Sequence, residues 1–132
     1  MREEAADSLG IRVEFPRDVV AGQRVPMLVR VENVKDTTLT LYLVGRTIAF
    51  DLIVETPDGA PVWRRLDGEV VPAILRLETL KPGQALVLED TWDQHSNSGQ
   101  PLPPGEYRVR AELLTDGDPV SSQVELLRIR AR

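Results

Sequence analysis

The single histidine, His95, lies in the acid-flanked run Glu89-Asp90-Thr91-Trp92-Asp93-Gln94-His95, and Asp90, Asp93 and His95 are the chain's one candidate metal set. Zinc takes three or four ligands in tetrahedral geometry, mostly His or Cys, and the chain has no cysteine. One imidazole among loop acids reads better as a solvated side chain. Ser96 and Ser98 follow His95 directly, but a triad needs nucleophile, base and orienting group converging from separate places, and no Gly-x-Ser-x-Gly turn is present. Asp116-Gly117-Asp118 opens like a calcium loop yet lacks the glutamate at position twelve, and so reads as a hairpin turn. No glycine-rich loop opens a helix, which leaves nucleotide binding without support. The acid pairs Asp51/Glu55 and Asp116/Asp118 are expected on solvent faces or at turns. The reading is a non-enzyme with no metal and no cofactor.

The elements around these residues have a period of two. Ile11, Val13 and Phe15 alternate with Arg12 and Glu14; Met27, Val29 and Val31 with Arg30 and Glu32; Leu39, Leu41 and Leu43 with Thr40 and Tyr42. Ile48, Phe50, Leu52 and Val54 follow, then the Thr56–Pro61 turn and Val62-Trp63. Such alternation marks half-buried strands. In residues 70–80, Ala73, Leu75 and Leu77 favour a strand while Ile74 and Leu80 break its phase. Leu86, Leu88 and Trp92 share a face with Asp90, which predicts a bulge or an early end there. Tyr107, Val109, Ala111 and Leu113 alternate cleanly, and a phase slip at Leu126-Leu127 predicts a second bulge. Pro-Gly turns at Leu80-Lys81-Pro82-Gly83-Gln84 and Leu102-Pro103-Pro104-Gly105-Glu106 each launch a strand, because Pro presets φ and Gly accepts φ > 0. Turn signals at this spacing predict an all-β antiparallel sandwich of about eight or nine strands.

With 132 residues, 42% hydrophobic and 28% charged, the chain fits one domain over residues 9–132 behind a flexible start, residues 1–8. A net charge of −5 opposes non-specific nucleic-acid binding. No run is long and apolar enough for a membrane span, and the opening residues lack the apolar core of a signal peptide. The chain as written is therefore expected in the cytoplasm, or outside it had a leader been removed. Arg108, Arg110, Arg128 and Arg130 read as part of a charge-mixed face, with Arg110 expected near Glu125. Trp92 is expected in the core, and Trp63, whose neighbour Val62 points the other way, is a candidate partner contact.

In their order and spacing, four blocks resemble the BsuPI family of small bacterial proteinase-inhibitor domains. They are Val31-Glu32-Asn33 with Leu39-Thr40-Leu41; Phe50-Asp51-Leu52-Ile53-Val54 with Asp58-Gly59 and Val62-Trp63-Arg64; Leu80-Lys81-Pro82-Gly83-Gln84 with Trp92; and Leu102-Pro103-Pro104-Gly105-Glu106-Tyr107 with Val109 and Ala111. The resemblance runs from about Arg30 to Leu114 and implies an immunoglobulin-like sandwich that inhibits a serine protease. Tyr107 also stands where such sheets place their corner tyrosine. No reactive-site residue is carried over by the resemblance.

An inhibitor needs a preorganised exposed loop. Asp93–Pro104 is the one long polar loop, stiffened on one side by Pro101, Pro103 and Pro104. Its candidate partner-binding residues are Asp93, His95, Gln100 and Leu102, together with Trp63; Gln100 and Leu102 are the side chains offered to a protease pocket. A plain crossover between sheets is the simpler reading of the same loop. An immunoglobulin-like interaction or cell-envelope accessory domain without inhibitory activity is the rival reading. The expected partner is a protein, and the expected state a monomer or weak dimer.

Overall fold

A computed structural model describes residues 8–132, so the expected flexible start lies, but for Ser8, outside the described residues. Among the described residues the fold is built from strands: β1 (Leu9–Glu14), β2 (Asp18–Val20), β3 (Val25–Asn33), β4 (Leu39–Val44), β5 (Phe50–Glu55), β6 (Pro61–Arg64), β7 (Leu75–Leu80), β8 (Ala85–Trp92), β9 (Gly105–Leu113), β10 (Val120–Ser121) and β11 (Glu125–Arg130). The count exceeds the expected eight or nine. Strands β2 and β10, with 3 and 2 residues, are too short to carry a period-two signal.

Three sheets form, in the orders β1-β3-β8, β2-β11-β9-β5-β6 (with β10 on β9) and β4-β7. The β2–β11 pair is parallel, and the other pairs are antiparallel. Their inner faces share one apolar cluster that includes Val25, Met27, Val29 and Val31 of β3, Leu52 and Val54 of β5, and Val109, Ala111 and Leu113 of β9. Leu41, Leu43 and Leu80 bring the β4-β7 pair into the same cluster. Each fully buried side chain of this size contributes about 1.5–3 kcal/mol of transfer free energy. The result is an all-β, immunoglobulin-like architecture.

The residues that carried the turn signals tie the sheets together. Asn33 is buried; its Nδ2 donates to the carbonyls of Thr37 (2.8 Å) and Leu80 (2.9 Å), and its Oδ1 accepts from Lys35 N (2.9 Å). It thereby fastens the end of β3 to the end of β7. Gly83 closes the first Pro-Gly turn at φ 79°, a conformation that costs a side-chain-bearing residue roughly 1 kcal/mol or more.

Several expectations change in detail. Strand β8 runs without a bulge, Asp90 standing opposite Met27 in an unbroken ladder. Asp90 lies on the exposed margin, and its carboxylate binds Arg65 Nε at 2.7 Å. Arg65 in turn covers the Phe50 ring at 3.9 Å, a cation–π contact that closes the core beside β8. The bulge occurs instead on β6: Trp63 pairs with Val54 and Pro61 with Glu55, leaving Val62 as the extra residue. That is why Val62 and Trp63 both pack against the core rather than pointing to opposite faces.

Strand β7 has the inverse phase to the one its leucines indicate, with Leu80 inside and Leu75 and Leu77 outside. Strand β11 is regular from Glu125, and Glu125 faces Val109, not Arg110. The detour through β10 and Ser122 resets that register, and Glu125 pairs with Arg17 at 3.0 Å. Asp51 and Glu55 are buried rather than solvated. Arg64 lies 3.1 Å from Asp51 and Arg110 lies 3.6 Å from Glu55, and Glu112 joins both arginines. Burying charge needs such pairing, and the arginines arrive from strands on either side of β5.

Candidate functional site: the loop from Asp93 to Pro104

The loop begins where β8 delivers Trp92 into the core. The Trp92 indole N–H donates to the His95 carbonyl at 3.0 Å, and its ring packs on Trp63 of β6 with centroids 5.7 Å apart. Aromatic pairs in this range add about 0.5–1.5 kcal/mol beyond their buried area. Asp93 turns the chain, its carboxylate accepting from His95 N at 3.0 Å.

Gln94 then takes φ 65°, the one positive φ of a non-glycine residue among the described residues. It is buried, and its side chain reaches β2 and the turn that follows: Nε2 donates to the carbonyls of Val20 and Gln23 (both 2.9 Å), and Oε1 accepts from Gly22 N at 3.3 Å. A left-handed, buried, fully used glutamine is a fixed point, because the surrounding structure must hold a conformation that the backbone alone disfavours.

Beyond Gln94 the loop doubles back. His95 bridges Pro101, Ser96 N donates to the Gln100 carbonyl (2.8 Å), Gly99 N donates to the Ser96 carbonyl (2.9 Å), and Leu102 N donates to the Gln94 carbonyl (3.0 Å). Asn97 seats the tip on β6, its side chain accepting from Arg64 N at 2.7 Å and donating to the Arg64 carbonyl at 3.0 Å. Its own N–H reaches the Val62 carbonyl at 3.2 Å. At the far end the Tyr107 hydroxyl donates to the Pro103 carbonyl at 2.5 Å, and burial pushes that phenol's pKa up.

The five sequence-derived candidates thus share one region. Asp93 and Gln100 are exposed and His95 is half-buried. Leu102 and Trp63 are half-buried and packed against the core, so they support the loop from below. Gln94 and Asn97, which fix its shape, gave no signal in the sequence beyond being polar residues in a polar loop. The imidazole stays with Asp93, Nδ1 lying 3.0 Å from its carbonyl, while Asp90 binds Arg65 and the Ser96 and Ser98 hydroxyls bond each other at 2.8 Å. Among the described residues no three His, Asp or Glu side chains converge as a metal site.

The family model for BsuPI, described as intracellular proteinase inhibitor, matches residues 16–117. The chain belongs to the BsuPI family. The match takes in β2 through β9 and the whole Asp93–Pro104 loop, so the loop is part of the BsuPI domain and not an appendage to it. No curated protein sequence matches significantly.

Among solved structures, the BsuPI chain is similar to Spo0M, a sporulation control protein from Bacillus subtilis. The two are 15% identical at a TM-score of 0.54, over 95% of this chain and 50% of that one. It is also similar to the CARDB domain of the PF1109 protein from Pyrococcus furiosus (14% identity, TM-score 0.49, 94% of each chain). A third is a β-glucosidase from Listeria innocua (12% identity, TM-score 0.49, 92% of this chain and 16% of that one). The chain therefore spans half of Spo0M and a small part of the glucosidase. At these identities the likeness to Spo0M speaks for the fold alone.

Proposed function

We propose that this chain inhibits a serine proteinase without catalysing a reaction itself, by setting the Asp93–Pro104 loop into the enzyme's active-site cleft. The family supports a proteinase as the partner, and its description supports an intracellular one. The observation that carries the choice of loop is its fixation from Trp92 to Tyr107 by bonds that Gln94, Asn97 and Tyr107 make. A loop already held in one shape loses little conformational entropy on binding, and this is what separates an inhibitor from a flexible substrate.

Within the loop the exposed tip, Asn97 to Gln100, meets the enzyme first, and Gln100 is the side chain offered to its specificity pocket. Leu102, half-buried beneath the tip, holds it up. Titration of subtilisin-like and trypsin-like proteinases with the domain tests this reading. A saturable loss of activity is expected, weakened by Gln100→Ala, with the chain left intact. Failure to inhibit any of them at micromolar domain, with cleavage inside Asp93–Pro104, would overturn it.

A further inference from the structure

Among the described residues strand β7 is open on one side. It pairs with β4 alone, and Gly45 N, donating to the Ile74 carbonyl at 3.0 Å, extends that ladder one step past the strand. Antiparallel alternation then turns the backbone groups of Arg76 and Glu78 toward β4 and those of Leu75, Leu77 and Thr79 toward the open side. Edges are ordinarily blunted by Pro, a bulge or charged side chains; Leu75–Leu80 has no Pro and no bulge, and its two charges, Arg76 and Glu78, are of opposite sign. Leu75 and Leu77 are instead 54% and 61% exposed.

The charges on β7 complement themselves. If a second copy lies antiparallel with Leu77 opposite Leu77, each Arg76 faces the Glu78 of the other copy. Leu75, Leu77 and Thr79 become the hydrogen-bonded positions. Arg76 and Glu78 take the non-hydrogen-bonded ones, where facing side chains come closest. Sliding the copy by two residues sets Arg76 against Arg76 in one direction and Glu78 against Glu78 in the other, so charge selects one register.

Arg76 has capacity for this contact. Its Nη1 donates to the Arg46 carbonyl at 2.7 Å, while its Nη2 lies 3.7 Å from Glu78 of its own strand, beyond hydrogen-bond distance, so that this loose pair can be exchanged for one with Glu78 of the other copy. The free edge of β8 differs: its charges, Glu89 and Asp90, are both acidic, so no register there sets opposite charges against each other.

We propose that this chain forms a two-fold homodimer through β7, joining two β4-β7 pairs into one four-stranded sheet with Leu77 on the axis. The interface is a single short strand pair, so association is expected to be weak and reversible. This proposal is independent of the inhibitor reading, since the Asp93–Pro104 loop makes no use of β7.

Sedimentation equilibrium of the folded chain from about 5 to 500 μM is expected to show a monomer–dimer equilibrium. Arg76→Glu and Glu78→Arg should each weaken association by about tenfold or more, and the double exchange should restore it. Leu77→Cys, in a chain without other cysteines, should oxidise to a disulfide dimer, because hydrogen-bonded antiparallel partners have Cα atoms within disulfide reach. Val87→Cys on β8 should oxidise far more slowly. Proteinase titration with Leu77→Lys should be unchanged, separating this proposal from the loop's role. A wild-type chain that stays monomeric, a dimer that survives either charge reversal, a folded double exchange that stays monomeric, or equal crosslinking at 77 and 87 would each overturn the dimer.

Discussion

Asn97 closes both backbone bonds of Arg64, accepting from its N–H at 2.7 Å and donating to its carbonyl at 3.0 Å. A side-chain amide here does what a neighbouring strand would do, so the loop tip becomes a short extension of the sheet beyond β6. Asn97→Ala removes both bonds while leaving the Trp63–Trp92 contact in place. Amide exchange at Arg64 should accelerate about tenfold, and inhibition should weaken by a similar factor as the tip loosens. Unchanged protection at Arg64 would show that the tip is held by other means.

Gln94 stabilises the loop at its other end. Replacing it with Ala leaves the Val20 and Gln23 carbonyls without their donor and keeps a side chain in the left-handed region. The expected loss is about 1–3 kcal/mol, read as a lower denaturant midpoint at unchanged slope. Gln94→Gly loses the same bonds but relieves the backbone strain, and should lose less than Gln94→Ala, an order that would reverse if the backbone at 94 were unstrained.

Tyr107 links stability to alkaline pH. Burial raises its pKa above the ordinary 10.0, so the native state keeps the proton after the unfolded chain releases it. The contribution is fully present below pH 10 and is lost as pH rises from there through the native value. Tyr107→Phe removes the bond to Pro103, costing about 1 kcal/mol, and should also remove this part of the alkaline decline. Urea titrations at neutral pH and above pH 10 compare the two chains.

Asp51 tests the buried charges. Besides Arg64 it holds Leu66 N through Oδ1 at 3.0 Å, so Asp51→Ala strands a backbone donor as well as a cation. Since Arg64 is partly exposed, water compensates some of the loss, and about 2 kcal/mol is expected rather than the larger cost of a sealed pair. Asp51→Asn, which keeps an acceptor for Leu66, should lose less. Thermal or urea denaturation of the two variants decides it.

Much of the sandwich was legible because alternation, Pro-Gly turns and the block from Asp58 to Trp63 are local signals. What stayed hidden depends on partners distant in sequence. Alternation marks a strand but not which face is inside, and so Leu75 and Leu77 indicate β7 although they face outward and Leu80, which breaks their phase, is the buried one. Acids on an alternating strand read as solvated, yet Asp51 and Glu55 are covered by arginines from β6 and β9. Gln94 illustrates the same limit at the site: its role is set by Val20 and Gln23, more than 70 positions away.

The Pro101–Pro104 stretch has one further consequence. Proteinases read a substrate as a strand to be paired, taking hydrogen bonds from its amides. Three of these four residues have no N–H, and the fourth, Leu102, already gives its own to Gln94. To a proteinase this side of the loop is a peptide without grammar, offering shape to press against and no donor for the enzyme to align.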